Sequence, residues 1–468
     1  MKFLWGFFRV ALHTTINIII YAVTQGRFIW LEGRVLRGRF RNWGWRMGYR
    51  PAELVKPTTE AEIVATVKNA RRIRVFGSGH SFNAGIESQE VLLSLDNFSG
   101  VTGKDLAKKQ LAVKGGTRVR DVIKALNAEG LAFVAQPSHD AQSIGGILAT
   151  DVHGTGINWG HVSESIVKLR ILDGRGEIHE CQPQDDLFKA AVGGVGAVGI
   201  IVEAVVQGVD RFRVEQRVEI VDLDAVEENI DLLLAANDHL SFYLFPFTNK
   251  CQMNRWNATR ADKSFLGTWR EAFMNSVDAL LAVWVGNFLS YTKLLPHVAT
   301  AAHSVRKGIN LVMESHHAFN RTIYPLHQEL EFTVPFADTF PVARRFLKLH
   351  EDMYHLGLPY TLLEVRFTPA GHDRTLLGAG QERHSTWIDV VSMDSEGYKP
   401  FYEAVEGLIM ELGGRPHLGK YSEKVDKGYL AQLYGQNFER FRELVAEFDP
   451  AGKFANDFTH RLFGDSSS

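Results

Sequence analysis

Two glycine-rich segments constrain this chain more than anything else in it. The first is Gly77-Ser78-Gly79-His80-Ser81-Phe82-Asn83, directly after Arg71-Arg72-Ile73-Arg74-Val75-Phe76. The second is Ser143-Ile144-Gly145-Gly146-Ile147-Leu148-Ala149-Thr150-Asp151-Val152-His153-Gly154-Thr155-Gly156. Both read as loops at strand ends, where successive backbone N–H groups form a concavity that binds phosphate without a lysine. Glycine there allows φ > 0 and close approach of a flat or charged ligand. Either loop alone reads equally well as a tight turn. The two together, each with an internal histidine, point to one large phosphorylated ligand.

A third glycine run, Gly194-Val195-Gly196-Ala197-Val198-Gly199, satisfies G-x-G-x-x-G letter for letter. The dinucleotide motif works only between a strand and a helix, with pyrophosphate at the helix N-terminus. Here a helix-like segment, Asp185–Val192, precedes it and the β-branched run Ile200-Ile201-Val202 follows. The order is reversed, so the run is not a nicotinamide-dinucleotide site.

At 468 residues the chain exceeds what one hydrophobic core usually supports, which implies two domains. The apolar content of 45% and charged content of 23% are those of a globular protein rather than a disordered one. A formal charge of -2 gives no electrostatic case for nucleic acid. Cys181 and Cys251 are the only cysteines, which excludes a disulfide framework and a cysteine metal site and fits a reducing compartment, the cytoplasmic side. The N-terminal thirty residues depart from this pattern. They are rich in Phe, Trp and Ile, are punctuated by Lys2, Arg9 and Arg27, and lack a small-residue cleavage site. The apolar run is short for a bilayer crossing and is interrupted by His13 and Asn17. It reads as an interfacial helix with Trp5 and Trp30 at headgroup level. The competing reading is a helix packed on its own protein.

Thr59 and Glu62 stand at capping-box spacing before Ile63, Val64, Val67 and Ala70, and a strand follows over Ile73–Phe76. Thr117 to Gly130 repeats that pattern, with Val119, Val122, Ile123 and Leu126 facing inward and Gly130 as the stop. Ile166–Leu172 and Glu177–Cys181 read as a hairpin around Asp173-Gly174-Arg175-Gly176. This mixture implies an α+β fold. After Asp210 the chain becomes more aromatic, and Phe265–His303 holds a long apolar helical stretch. Leu281, Trp284, Val285 and Phe288 fall on one face of it and read as core packing. The segments expected are 1–41, a membrane-associating N-terminus; 42–208, a ligand-binding domain; 209–420, an inserted α+β cap; and 421–468, a return to the first domain.

GSGHSFN, SIGGILATDVHGTG, Leu363-Glu364-Val365-Arg366 and Arg415-Pro416-His417-Leu418-Gly419-Lys420, with Asp449-Pro450-Ala451-Gly452-Lys453-Phe454 near the end, together resemble the FAD-linked oxidases of the vanillyl-alcohol-oxidase fold. Within them the chain is most similar to the branch of aldonolactone oxidases (L-gulono- and D-arabinono-1,4-lactone oxidase) and alditol oxidases. The resemblance covers about 42–208 and, more thinly, 360–463. It implies a two-domain FAD-binding fold of that type, with FAD as cofactor. It places Gly77, Ser78, Gly79, His80, Ser81, Phe82, Ser138, Gly145, Gly146, Thr150, His153, Gly154, Gly156 and Ile200 at the cofactor. His80 takes the position of the histidine bonded to the flavin 8α-methyl. Pro137 takes that of the residue controlling oxygen access.

Glu364 and Arg366 sit two apart in a strand, so both side chains face one side. A carboxylate and a guanidinium there can pair with each other and still contact a polyol or lactone. Lys420 matches the family lysine that reaches the substrate oxygen, where a cation stabilises developing negative charge. One departure concerns the substrate: where the family brings a histidine and a threonine, Thr386–Ser392 offers Asp389 and Val391, with His384 and Ser385 preceding them. His139, His161, His179 and the pair His316-His317 show no metal-ligand spacing, so no metal is expected. The implied reaction is oxidation of an alcohol group of a sugar-derived lactone or polyol by hydride transfer to flavin N5, with O2 as acceptor. The alternatives are a membrane-associated dehydrogenase using a quinone or cytochrome, and a non-catalytic flavin-fold binding protein.

Overall fold

The computed structural model describes residues 2–24, 34–36, 38–44, 48–158, 160–289, 294, 296–297, 308–319, 325–393 and 397–464. Helix α1 (Lys2–Thr24) comes first. Strand β1 (Glu53–Val55) leads to α2 (Glu60–Asn69), where Thr59 and Glu62 form the expected reciprocal capping box. Strands β2 (Ile73–Phe76) and β3 (Val91–Ser94) complete a parallel sheet of order β1-β3-β2. Ile63 and Val67 bury against Ile73, Val91 and Leu93, so the helix covers this sheet with its apolar face.

A second, antiparallel sheet has the order β7-β6-β8-β5-β4. It is built from β4 (Val101–Asp105), β5 (Gln110–Lys114), β6 (Ile166–Leu172), β7 (Ile178–Cys181) and β8 (Ile200–Gln207). The hairpin read from Asp173-Gly174-Arg175-Gly176 is β6–β7, with Leu172 opposite Ile178. Helix α3 (Val119–Ala128) buries the four residues its period predicts, and Gly130 beyond it takes φ 74°. Helix α4 (Ile144–Ala149) is capped by Ser143, and α5 (Asp186–Ala191) precedes the third glycine run, with β8 after it. That order is the reverse of a dinucleotide motif, as read from the sequence.

Residues 213–416 build an eight-stranded antiparallel sheet of order β12-β9-β11-β10-β14-β15-β13-β16. Its strands are β9 (Arg213–Asp222), β10 (His239–Leu244), β11 (Lys250–Thr259), β12 (Ile309–Glu314), β13 (His327–Pro335), β14 (Thr361–Thr368), β15 (Ser385–Met393) and β16 (Arg415–Pro416). One face packs on its own core around Phe332, Phe346, Phe367 and Phe401. The chain then returns to the first domain. Tyr429, Phe438, Phe441 and Phe458 join the core of Val119, Ile144 and Phe188, and Lys453 O accepts from Ile73 N at 2.8 Å. Cys181 and Cys251 are free and buried, and burial pushes both thiols up to about 12.

Helix α6 (Gly267–Leu281) continues into a π-helical turn, Ala282–Asn287. The stripe read as core packing is half covered only. Phe7 of α1 packs edge-on against Trp284 at 5.3 Å, yet Trp284 and Phe288 stay exposed. Helix α1 meets the body through Val10 and Ala11, packed with Val283, Leu326, Tyr360 and Met393. The side chains of Trp5 and Trp30, read as headgroup anchors, lie outside the described residues. Among the described residues no helix is long and apolar enough to cross a membrane.

Candidate active site

One long cavity runs between the glycine loops and the open face of the eight-stranded sheet. The first loop follows β2 directly, and Gly77 is obligatory. A Cβ there would stand 1.7 Å from Ser143 Oγ, the oxygen that caps α4. The two glycine segments therefore touch, which neither would allow with a larger residue. Asn83 closes the loop onto the far end of the site: its side-chain amide donates to Leu418 O at 2.6 Å and Lys420 O at 2.8 Å. Buried Arg74 ties the loop base together, donating to Gly85 O, Phe454 O and Val195 O. These donors fix a cation at the glycine end of the cavity.

His80 stands in this lining between two rings, stacked on Trp43 (centroids 5.4 Å, 16°) and tilted against His139 at 4.0 Å. Gly77, Ser78, Gly79, Ser81, Phe82, Ser138, Gly145, Gly146, Thr150, His153 and Ile200 line the same cavity, as does Pro137. Gly154 and Gly156, expected at the cofactor, are not among the lining residues. Gly154 N donates to Gly160 O and Gly156 N to Phe367 O. A Cβ on Gly156 would stand 2.4 Å from Asp238 O, so this glycine serves the contact with the eight-stranded sheet.

Sheet register assembles the polar end. Tyr243, Glu364, Asp389 and Glu331 are direct cross-strand neighbours on β10, β14, β15 and β13. With a side-chain period of two, Arg366, Val391, Glu329 and His327 share their face. All of them line the cavity. Glu364 and Arg366 share a face as expected but do not pair with each other. Tyr243 OH donates to Glu364 at 2.8 Å, whereas Arg366 Nη2 donates to Glu331 Oε1 at 2.5 Å and lies 3.5 Å from Asp389. Lys420 pairs with Glu329, with Glu331 at 3.8 Å and Asp389 at 3.7 Å. His327 Nε2 lies 2.8 Å from the other Glu329 oxygen.

This gives two buried carboxyls, Glu331 and Asp389, and the half-buried Glu329 facing two cations. Burial opposes the Lys420 charge, but Asp389, Glu329 and Glu331 outweigh it and hold its pKa above the ordinary value. Burial likewise opposes ionisation of Glu331, but Arg366 and neighbouring positive groups hold its pKa well below the usual carboxylate range. Asp389 is the surplus acid: burial and the Glu329 charge push its pKa well up, which favours its neutral form. A neutral carboxyl there is a hydrogen-bond donor, where the resemblance implied a histidine. Val391 faces the cavity beside it, whereas His384 stacks on Phe336 and is not among the lining residues.

Sequence reasoning missed Glu329, Glu331, His327, Tyr243 and Arg74. The signal was present in His327-Gln328-Glu329-Leu330-Glu331, where titratable residues recur at every second position, as in Leu363–Arg366.

The D-arabinono-1,4-lactone oxidase family model matches residues 204–462, and an FAD binding domain model matches residues 51–182. An L-gulono-1,4-lactone dehydrogenase from Mycobacterium tuberculosis is 27% identical over 432 residues, covering 90% of this chain and 98% of that one. An L-gulonolactone oxidase from Mus musculus is 24% identical over 91% of this chain and 98% of its own. Among solved structures, cholesterol oxidase from B. sterolicum superposes with a TM-score of 0.76 at 14% identity, over 92% of this chain and 97% of that one. That likeness is one of fold.

Proposed function

Because the chain belongs to the D-arabinono-1,4-lactone oxidase family, we propose that it oxidises an alcohol carbon of a sugar-derived lactone, with FAD as the bound electron acceptor and O2 as the final one. The observation that carries this reading is the cation Lys420, oriented by Glu329 at the polar end of the glycine-loop cavity. The residues present fit FAD. Gly77 has no room for a side chain, and buried Arg74 holds a positive charge in the lining beside the glycine loop, which suits an anionic group. The chemistry FAD supplies when bound is acceptance of a hydride at flavin N5. Lys420 stabilises the negative charge that develops on the substrate oxygen as its proton leaves. Glu364 and the neutral Asp389 carboxyl hold the remaining hydroxyls. Pro137 in the lining supports oxygen as acceptor. The test is bleaching of flavin absorbance under a panel of sugar lactones and polyols, followed by readmission of oxygen. No bleaching with any of them would leave the fold as a binding protein only.

His80 is the anchor for a covalent flavin in this reading, supported by its place between Trp43 and His139. Acid-precipitated protein should stay yellow, and His80→Ala should release the flavin into the supernatant. A colourless wild-type pellet would overturn the assignment.

A second reading of the acceptor is favoured by α1 and α6, whose amphipathicity is inverted. Thr14, Asn17, Glu271 and Asn275 are buried, whereas Phe8 is 56% exposed, Leu12 62%, Trp269 71% and Phe273 61%. A helix facing water does the opposite. Such a face suits a bilayer interface, and α6 also lines the cavity through Asn275, Asp278 and Ala279. A lipid-soluble quinone would then reach the site from the membrane. Full-length protein should pellet with liposomes, and Phe8→Ser/Leu12→Ser/Trp269→Ser/Phe273→Ser protein should not. Reoxidation of the anaerobically reduced flavin by a short-chain quinone, faster than by O2, would decide for this acceptor. Resistance to alkaline carbonate would instead indicate a span.

A further inference from the structure

Three side chains from separate chain segments meet away from the lactone site. Asp151 lies in the turn after α4, at φ 49°; His161 precedes β6; His372 follows β14 of the eight-stranded sheet. All three are buried. Asp151 Oδ2 stands 3.1 Å from His161 Nδ1 and 3.0 Å from His372 Nε2, and the ligand atoms lie within 4.8 Å of one another. Bonds of about 2.0–2.2 Å in a tetrahedral zinc site separate its ligand atoms by about 3.3 Å, close to these spacings.

The surroundings of the three residues are what a metal needs. A ligating histidine usually donates its other ring N–H to a carboxylate, and a ligating carboxylate is itself hydrogen-bonded. Here Glu164 Oε1 stands 3.4 Å from His372 Nδ1, and Ser163 Oγ donates to the outer Asp151 oxygen at 3.0 Å. A protonated His372 bridging Asp151 and Glu164 would account for those two residues without a metal. It leaves His161 unexplained: fully buried, with neither ring nitrogen in a well-aligned hydrogen bond. A buried imidazole held only by a misaligned contact to Asp151 is costly, and a cation reduces that cost. The two rings are stacked at 3.6 Å and 6°, so their lone pairs run parallel. Convergence on one ion needs one ring to tilt, and His161 has no aligned hydrogen bond to resist it.

We propose that Asp151, His161 and His372 supply three ligands of a buried divalent-metal site, zinc by its donor set, that pins the loop after β14 to the FAD-binding domain. The site lies outside the lactone chemistry, so its test does not use turnover. Full-length protein without a polyhistidine tag, purified after growth with zinc, should carry about one zinc per chain by elemental analysis. A chelator should lower Tm by a few degrees, and added ZnCl2 at a hundredfold excess over Kd should restore it. Asp151→Asn and His161→Asn proteins should hold no zinc and show no response of Tm. His179→Asn should behave as wild type, although Asp173, Glu177 and His179 also cluster. Should the variants fail to fold, the chelator and zinc titration of wild type decides alone. Folded wild-type protein with no zinc and no Tm response overturns the proposal. So does zinc that persists in Asp151→Asn and disappears in His179→Asn.

Discussion

Lys420→Met should slow flavin reduction at saturating lactone by about 10²–10³, read as a single-turnover rate, by analogy with losing one preorganised donor at a developing oxyanion. The charge in question exists before substrate arrives, because the neighbouring carboxyl groups, Glu329 and Glu331 among them, outweigh desolvation and hold the Lys420 pKa above its ordinary value. Glu329 fixes its position, and Glu329 keeps His327 at 2.8 Å as a second partner when the lysine is removed. The loss should therefore fall on the transition state rather than on the fold. Glu364→Gln is the contrast. Its oxygen accepts from Tyr243 and faces the cavity, an arrangement equally available to ground and transition states. That variant should raise KM with kcat little changed. Wild-type reduction rates in Lys420→Met protein would remove the lysine from the chemistry.

How much of this was legible in the sequence depended on whether the signal was local. The capping box at Thr59, the periodic helix at Val119–Leu126 and the hairpin at Asp173 are local, and each stands where its residues predict. The glycine loops were legible for the same reason, since a Cβ at Gly77 has nowhere to go. Cross-strand partners were not. Period-two geometry correctly put Glu364 and Arg366 on one face, where they can pair, yet Arg366 bonds Glu331 two strands away. Register across β13, β15 and β14 decides that, and no single strand contains it. The Trp284 stripe was misassigned because period gives a face but not what covers it. The Asp151, His161 and His372 cluster was invisible for a third reason. Its residues come from three segments with no ligand spacing in any of them.

The buried charges also make a prediction about stability. Among Glu329, Glu331, Asp389, Arg366 and Lys420, two ionised carboxylates balance two cations, and Asp389 holds the spare proton. Replacing Glu331 by Gln removes one negative charge and, with it, part of what keeps Asp389 protonated. Asp389, 3.5 Å from Arg366 and 3.7 Å from Lys420, should then ionise and restore the balance. Glu331→Gln should therefore cost less than the 3–5 kcal/mol typical of stranding a buried charge. Asp389→Asn removes a group already neutral. Its raised folded pKa means that Asp389 contributes stability below its unfolded pKa and loses it as pH rises. The Asn variant should thus be neutral to stabilising at pH 7, and lose that advantage in acid. Only the double variant removes both acids within 3.5 Å of Arg366, leaving Glu329 on Lys420 and Glu364 as the nearest remaining carboxyl to Arg366, and it should lose about 3–5 kcal/mol. Urea midpoints at unchanged m-value measure all three, and the double-mutant cycle isolates the coupling. Additive single and double effects would mean that Asp389 does not take over from Glu331, and that the proton is not held where the burial and charge of these groups place it.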